Sequence, residues 1–160
     1  MGAFDNLGRL CDGQEISSDD TASEDTIDMV ATLPQIGVGA EEAYLNIRTA
    51  VAPTNTADTL SIEVQVDSAV AFSTPKIVFM PLVGANGGEI TGTDSRLLLA
   101  GAWIWRAPLP FEADERHLRL MFRNTTSNGV FTIDAWISGK PDSTRGKDYE
   151  TLLSNVGLPT

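Results

Sequence analysis

Thr59-Leu60-Ser61-Ile62-Glu63-Val64-Gln65-Val66-Asp67 alternates apolar and polar side chains without a break. Successive side chains of a strand point to opposite faces, so Leu60, Ile62, Val64 and Val66 share one face, and Thr59, Ser61, Glu63, Gln65 and Asp67 share the other. A helix would scatter the same apolar residues around its circumference. The stretch reads as a strand of an antiparallel sheet with one face on a core.

The same period recurs on both sides. In 44–51, Leu45, Ile47 and Val51 alternate with Asn46, Arg48 and Ala50. In 116–123, Leu118, Leu120 and Phe122 oppose His117, Arg119, Met121 and Arg123. In 130–137, Phe131, Ile133, Ala135 and Ile137 oppose Val130, Thr132, Asp134 and Trp136. Turn chemistry separates these runs: Ala52-Pro53-Thr54-Asn55-Thr56, Gly84-Ala85-Asn86-Gly87-Gly88, and Asn124 to Gly129, where Asn128-Gly129 predicts a hairpin turn with positive φ. Shorter apolar runs at 26–33, 77–83 and 102–107 bring the count to about seven or eight strands. Pro81 places the second of these at a sheet edge or in an irregular segment, since proline cannot donate to a ladder. No helical stripe exceeds two turns. The pattern predicts an all-β, antiparallel jelly-roll sandwich over 26–138.

Charge divides the chain differently. Residues 1–42 hold ten acidic groups against Arg9 alone, a net of −9, whereas the remainder nets −2. Residues 17–25 are polar, acidic and small. This predicts an acidic N-terminal arm over 1–25, mobile until a partner orders it, with Phe4, Leu7, Leu10 and Ile16 as its apolar anchors. Residues 139–160, with Pro141, Gly146, Gly157 and Pro159, read as a short C-terminal tail.

Composition limits what such a chain does. Its 160 residues suit one domain, and 42% hydrophobic residues suffice for a core. A net charge of −11 repels nucleic acid and anionic membrane. The longest apolar run, Leu97 to Trp105, is about half of a membrane helix. No secretory leader is read in the first residues. One cysteine, Cys11, and one histidine, His117, allow no intrachain disulfide and no Cys/His zinc cluster.

Each remaining chemical candidate has a plainer reading beside it. The acidic segment lacks the ligand spacing of a calcium loop and reads as solvated. Asp114, Glu115 and Asp134 could be drawn as a glycosidase pair, but any acidic chain offers such pairs. Cys11 reads as a small apolar residue and His117 as a surface or interface residue. Trp103 and Trp105 are expected to share one face of their strand. Trp136, opposite Ile133 and Ile137, is expected to point outward, as an interface anchor or under a covering loop. The expectation is a protein that is not an enzyme and uses no catalytic residue, metal or cofactor.

Several segments, in order and spacing, resemble the capsid cement (decoration) proteins of tailed bacteriophages, the family typified by the Bordetella podovirus cement protein. They are Phe4-Asp5, Leu10 to Ile16, Ser23 to Asp28, Thr59 to Ser68, Leu109-Pro110, Glu115 to Leu120, and Phe131 to Ile137. The resemblance implies a jelly roll that binds the outside of the head as a homotrimer. There it would bridge major capsid protein subunits and stiffen the shell. The protein would be made in the host cytoplasm and end on the virion surface. Trp136, His117, Arg119 and Arg123 are the expected trimer or partner contacts, with Arg106 and Arg116 as further donors. The rival reading is a carbohydrate-binding or receptor-binding jelly-roll module of a phage tail or fibre.

Overall fold

The computed structural model describes residues 8–31, 43–109, 116–126 and 129–139. These residues form ten strands: β1 (Arg9–Ile16), β2 (Thr21–Ala22), β3 (Ile27–Asp28), β4 (Tyr44–Val51), β5 (Thr59–Asp67), β6 (Lys76–Leu82), β7 (Ile90–Thr91), β8 (Trp103–Pro108), β9 (His117–Arg123) and β10 (Phe131–Ser138). Helical structure among the described residues consists of one turn, α1 (Ser95–Leu98), capped by Asp94, a 3-10 turn at Ala85–Gly87, and 3-10 geometry at Gly8 just before β1. Every pairing among these strands is antiparallel. One sheet has the order β1-β10-β4-β8; the other has β2-β9-β5-β6, with β3 also on β9 and β7 also on β5. The protein is therefore all-β, as the alternation in 44–51, 59–67, 116–123 and 130–137 predicts.

The two sheets share one core. Leu60, Ile62, Val64 and Val66 of β5 and Leu118, Leu120 and Phe122 of β9 meet Leu45 and Ile47 of β4 and Phe131, Ile133, Ala135 and Ile137 of β10. Burying each such side chain is worth about 1.5–3 kcal/mol. Pro81 sits in β6, an edge strand whose ladder to β5 is irregular at two points. A central strand would have lost a hydrogen bond there. Of the run 26–33, residues 26–31 are described, and among them only Ile27–Asp28 is strand, with a turn after it.

At Gly129 the structure supplies a reason beyond turn propensity, while Asn128 lies outside the described residues. A Cβ there would stand 2.8 Å from Asn55 Cβ and 2.9 Å from Asp58 Oδ2. The Gly129 N–H also donates to that buried carboxylate.

The N-terminal arm is the main correction. Arg9–Ile16 is not a free segment: it pairs with β10, with Cys11 opposite Ala135, Gln14 opposite Ile133 and Ile16 opposite Phe131. Leu10 and Ile16 are fully buried in the core, so they anchor the chain to itself. The acidic residues cause no conflict, because Asp12 and Glu15 project into solvent beside buried Leu10, Cys11 and Ile16. Residues 22–25 then lie along the open edge of β1. Asp25 N–H donates to Leu10 O at 3.0 Å, and the Gln14 side chain bonds Ala22 O at 2.8 Å and Glu24 N–H at 2.9 Å. Covering an edge strand removes a template for aggregation. The division at residue 25 therefore does not hold among the described residues. Phe4, Leu7 and the tail beyond Gly139 lie outside them.

Candidate functional site

With the core faces fixed, the two outward sheet faces carry the polar and aromatic groups. On the second sheet, β5 is central and pairs with β9 so that Ser61 faces Arg123, Glu63 faces Met121, Gln65 faces Arg119 and Asp67 faces His117. Paired residues in an antiparallel ladder point to the same side. These side chains therefore form one outward face, and on it Ser61, Glu63, Gln65 and Asp67 are buried.

Burial of so many polar groups requires partners. Arg119 Nε donates to Gln65 Oε1 at 3.0 Å, and Gln65 Nε2 donates to Glu63 Oε2 at 2.8 Å. Arg123 closes on the same carboxylate from the other side, through Nε and Nη2 at 3.2 Å each. Asp20 forms a further ion pair with Arg123. Asp67 accepts the N–H groups of Ala69 and Thr74 at 2.9 Å each, and these bonds hold its carboxyl below the usual range. Phe72 lies under the Arg119 guanidinium, 4.3 Å from ring centroid to carbon. Burial lowers the pKa of Arg119, which nonetheless stays charged at any physiological pH.

The structure thus brings three of the expected interface residues, His117, Arg119 and Arg123, onto one face. It does not bring Trp136 to them. Trp136 does belong to the outward side of its strand, but on the other sheet, and only 3% of it is exposed. Trp103 packs on it with centroids 5.7 Å apart, Arg48 lies 5.4 Å over its ring, and Arg106 lies 4.8 Å over Trp103. Arg48 is itself held by Asp134 at 2.9 Å, which also accepts Gly13 N–H at 2.7 Å. Trp136 is therefore packed within the protomer, under its neighbours rather than against a partner. Its covered ring offers no platform on which a sugar could stack.

Trp103 and Trp105 do not share a face. The β4–β8 ladder shifts register between Ile47 and Arg48, so Trp105 pairs with inward Ile47 and Trp103 with outward Arg48. Trp105 accordingly packs on the core and on Phe79, with centroids 5.3 Å apart. Alternation alone gives no sign of such a shift.

Cys11 is buried, and burial, followed by the carboxylates of Glu24, Asp134 and Asp25, raises its thiol well above the ordinary value. It is an inert thiol at neutral pH. Asp114 and Glu115 lie outside the described residues, and Asp134 is committed to Arg48. Among the described residues no three His, Cys, Asp or Glu side chains come together as a metal-binding group.

Sequence reasoning missed Phe72, Glu63 and Gln65 as parts of this face. The alternation assigned Glu63 and Gln65 to the polar side, but it carried no signal that β5 would be central and its polar side roofed. No protein-family model and no curated protein matches this chain.

Proposed function

We propose that this chain is a capsid cement protein: a structural component that binds the outside of a tailed-phage head as a homotrimer, bridges major capsid protein subunits and stabilises the shell. The observation that carries the reading is where the resembling segments fall. Residues 10–16 lie in β1 and 131–137 in β10, which are hydrogen-bonded neighbours in one sheet; 59–68 cover β5 and 115–120 enter β9, neighbours in the other. Segments far apart in sequence thus coincide with one ladder in each sheet, at the edge in the first and central in the second.

The order of pairing supports the jelly-roll part of the reading. β1 pairs with β10, β2 and β3 with β9, β4 with β8, and β5 with β6. That is a long antiparallel ribbon folded back at the β5–β6 hairpin, first strand on last. Wrapping such a ribbon joins β10 to β4 and β9 to β5, the two contacts that complete the sheets. A jelly roll is this wrapped ribbon.

Fold alone does not give function, and the cement reading adds a mechanism. A rigid double sheet, with Glu63–Arg123 and Asp134–Arg48 paired within the protomer, makes a passive clamp. Three copies of a modest contact on one trimer act together, so weak single contacts give durable attachment. With Leu10 and Ile16 committed to the core, attachment to the head draws on outward faces and loops.

The test is sedimentation of purified protein with intact phage heads that lack it. The reading predicts that the protein travels with the heads and leaves them in chaotrope as a trimer. Protein that stays at the top of the gradient, or that binds glycans on an array, would favour the tail or fibre module instead.

A further inference from the structure

The pair Asn-Gly occurs twice in the sequence, at Asn86-Gly87 and at Asn128-Gly129. Such a pair can react with itself. The backbone nitrogen of the glycine attacks the side-chain Cγ of the asparagine, and glycine obstructs this least because it has no Cβ and turns freely. The new N–Cγ bond closes a cyclic imide. The Cγ–Nδ2 bond breaks, and the amide nitrogen leaves as ammonia with the proton of the attacking N–H. Water then opens the imide at either carbonyl. One opening gives aspartate; the other gives isoaspartate, in which the main chain runs through the side-chain carbonyl. An amide has become a carboxylate, with water as the co-reactant and nothing oxidised or reduced.

The fold treats the two pairs oppositely. Gly129 is buried, and its N–H, the nitrogen that would attack, donates to the buried Asp58 carboxylate. The next residue is tied down as well: Val130 N–H donates to Thr54 Oγ1 at 2.8 Å, and Val130 O accepts Thr54 N–H at 3.3 Å. Rotating this backbone into an attacking position takes a donor away from a buried carboxylate, which costs far more than the loss of an exposed bond.

Asn86 and Gly87 lie in the connection from β6 to β7, and both are exposed. Nothing stands within 4 Å of where a Cβ on Gly87 would be. The loop is closed by its own bonds, Gly84 N–H to Gly88 O at 2.7 Å and Gly88 N–H to Ala85 O at 3.2 Å, and it buries no residue between Ala85 and Gly88. Asn86 has φ +59° and ψ +26°, so the Gly87 nitrogen is turned away from the asparagine side chain. The attack therefore passes through a local opening that breaks only exposed bonds and disturbs no core contact. Segments held in this way open at little cost. The other described asparagines are restrained. Asn46 and Asn124 are buried, with side-chain amides donating to Ser138 Oγ and Ile16 O, and Asn55 Oδ1 accepts Ala57 N–H. Each of these three precedes a β-branched residue or threonine side chain, not a glycine.

We infer that Asn86 is a modification site of the folded chain, converting there to aspartate and isoaspartate, while Asp58 holds the Asn128-Gly129 pair unreactive. Each conversion makes the net charge of −11 more negative by one, and isoaspartate also lengthens the main chain inside a closed turn.

The test is incubation of the full chain at mildly alkaline pH, folded and in parallel in denaturant, followed by peptide mapping by mass spectrometry against samples taken at the start. In the folded chain, conversion at Asn86 should exceed that at Asn128 by about tenfold or more; in denaturant the two should convert at similar rates. Asp58→Asn, which weakens the acceptor of Gly129 N–H, should raise conversion at Asn128 in the folded chain, with Asn86 in the same sample as reference. The wild-type comparison needs no variant and stands if Asp58→Asn fails to fold. Equal conversion of the two pairs in the folded chain overturns the inference. So does an Asn86 that converts in denaturant but stays intact when folded. A folded Asp58→Asn variant with Asn128 still unreactive removes the role given to Asp58.

Discussion

Asp28 ties the short strand β3 to the start of β9. Arg116 donates to its Oδ2 from Nη2 at 2.6 Å and Nε at 2.9 Å, and the N–H groups of Val30 and Ala31 donate to Oδ1 at 3.1 Å. The guanidinium above all lowers its pKa to about 2. In the unfolded chain the same carboxyl titrates near ~3.9. A depressed folded value means that the unfolded state takes up the proton first. The contribution of Asp28 is therefore fully present above about pH 4 and is lost as pH falls toward 2. Asp67 and Asp94 are shifted in the same direction. Asp28→Asn should accordingly flatten the acid limb of stability. Urea midpoints measured across this pH range should fall more steeply for wild type than for the variant; parallel limbs would contradict the assignment. Single residues are also where the sequence is least legible. Alternation puts Trp136 on the correct side of its strand, yet whether a large outward side chain is open or roofed depends on Trp103, Arg48 and Asp134, which come from strands far apart in the chain. The register shift that separates Trp103 from Trp105 leaves no trace in the alternation.

β5, β9 and β10 can be read from sequence because each is regular and has one wholly apolar face. β1 cannot. Cys11 and Gln14 are both buried although they lie on opposite sides of a simple alternation, because the ladder to β10 shifts between them, across Gly13, which adopts φ +66°. The surrounding carboxylates then make the stretch look solvated, although only Asp12 and Glu15 of β1 carry that charge. Net charge over a window does not report burial; the face on which each charge sits does. Two consequences follow for this strand. Ile16→Ala removes a fully buried side chain beside Phe131 and should cost about 2–5 kcal/mol, read as a lower urea midpoint with an unchanged m-value. Deleting residues 1–22 removes β1 and β2 outright and should abolish the cooperative thermal transition. A truncated chain that melts as sharply as the full one would restore the free-arm expectation.

Across the whole molecule, one sheet joins the first strand to the last and the other sheet nests inside that connection. All-β antiparallel architecture is legible because period-two alternation and turn residues are local signals. The division of strands between sheets is not, because it depends on pairings between residues more than a hundred positions apart, such as Cys11 with Ala135. The negative charge, concentrated in the first quarter of the sequence, makes copies of the chain repel one another. The measurement that bears most directly on the cement function is the temperature at which phage heads release their DNA, followed with a dye, for bare heads and for heads carrying increasing amounts of the protein. A shell-stabilising protein should raise the release temperature with occupancy, to a plateau when the sites are filled. Release at the same temperature from bare and fully occupied heads would contradict that function.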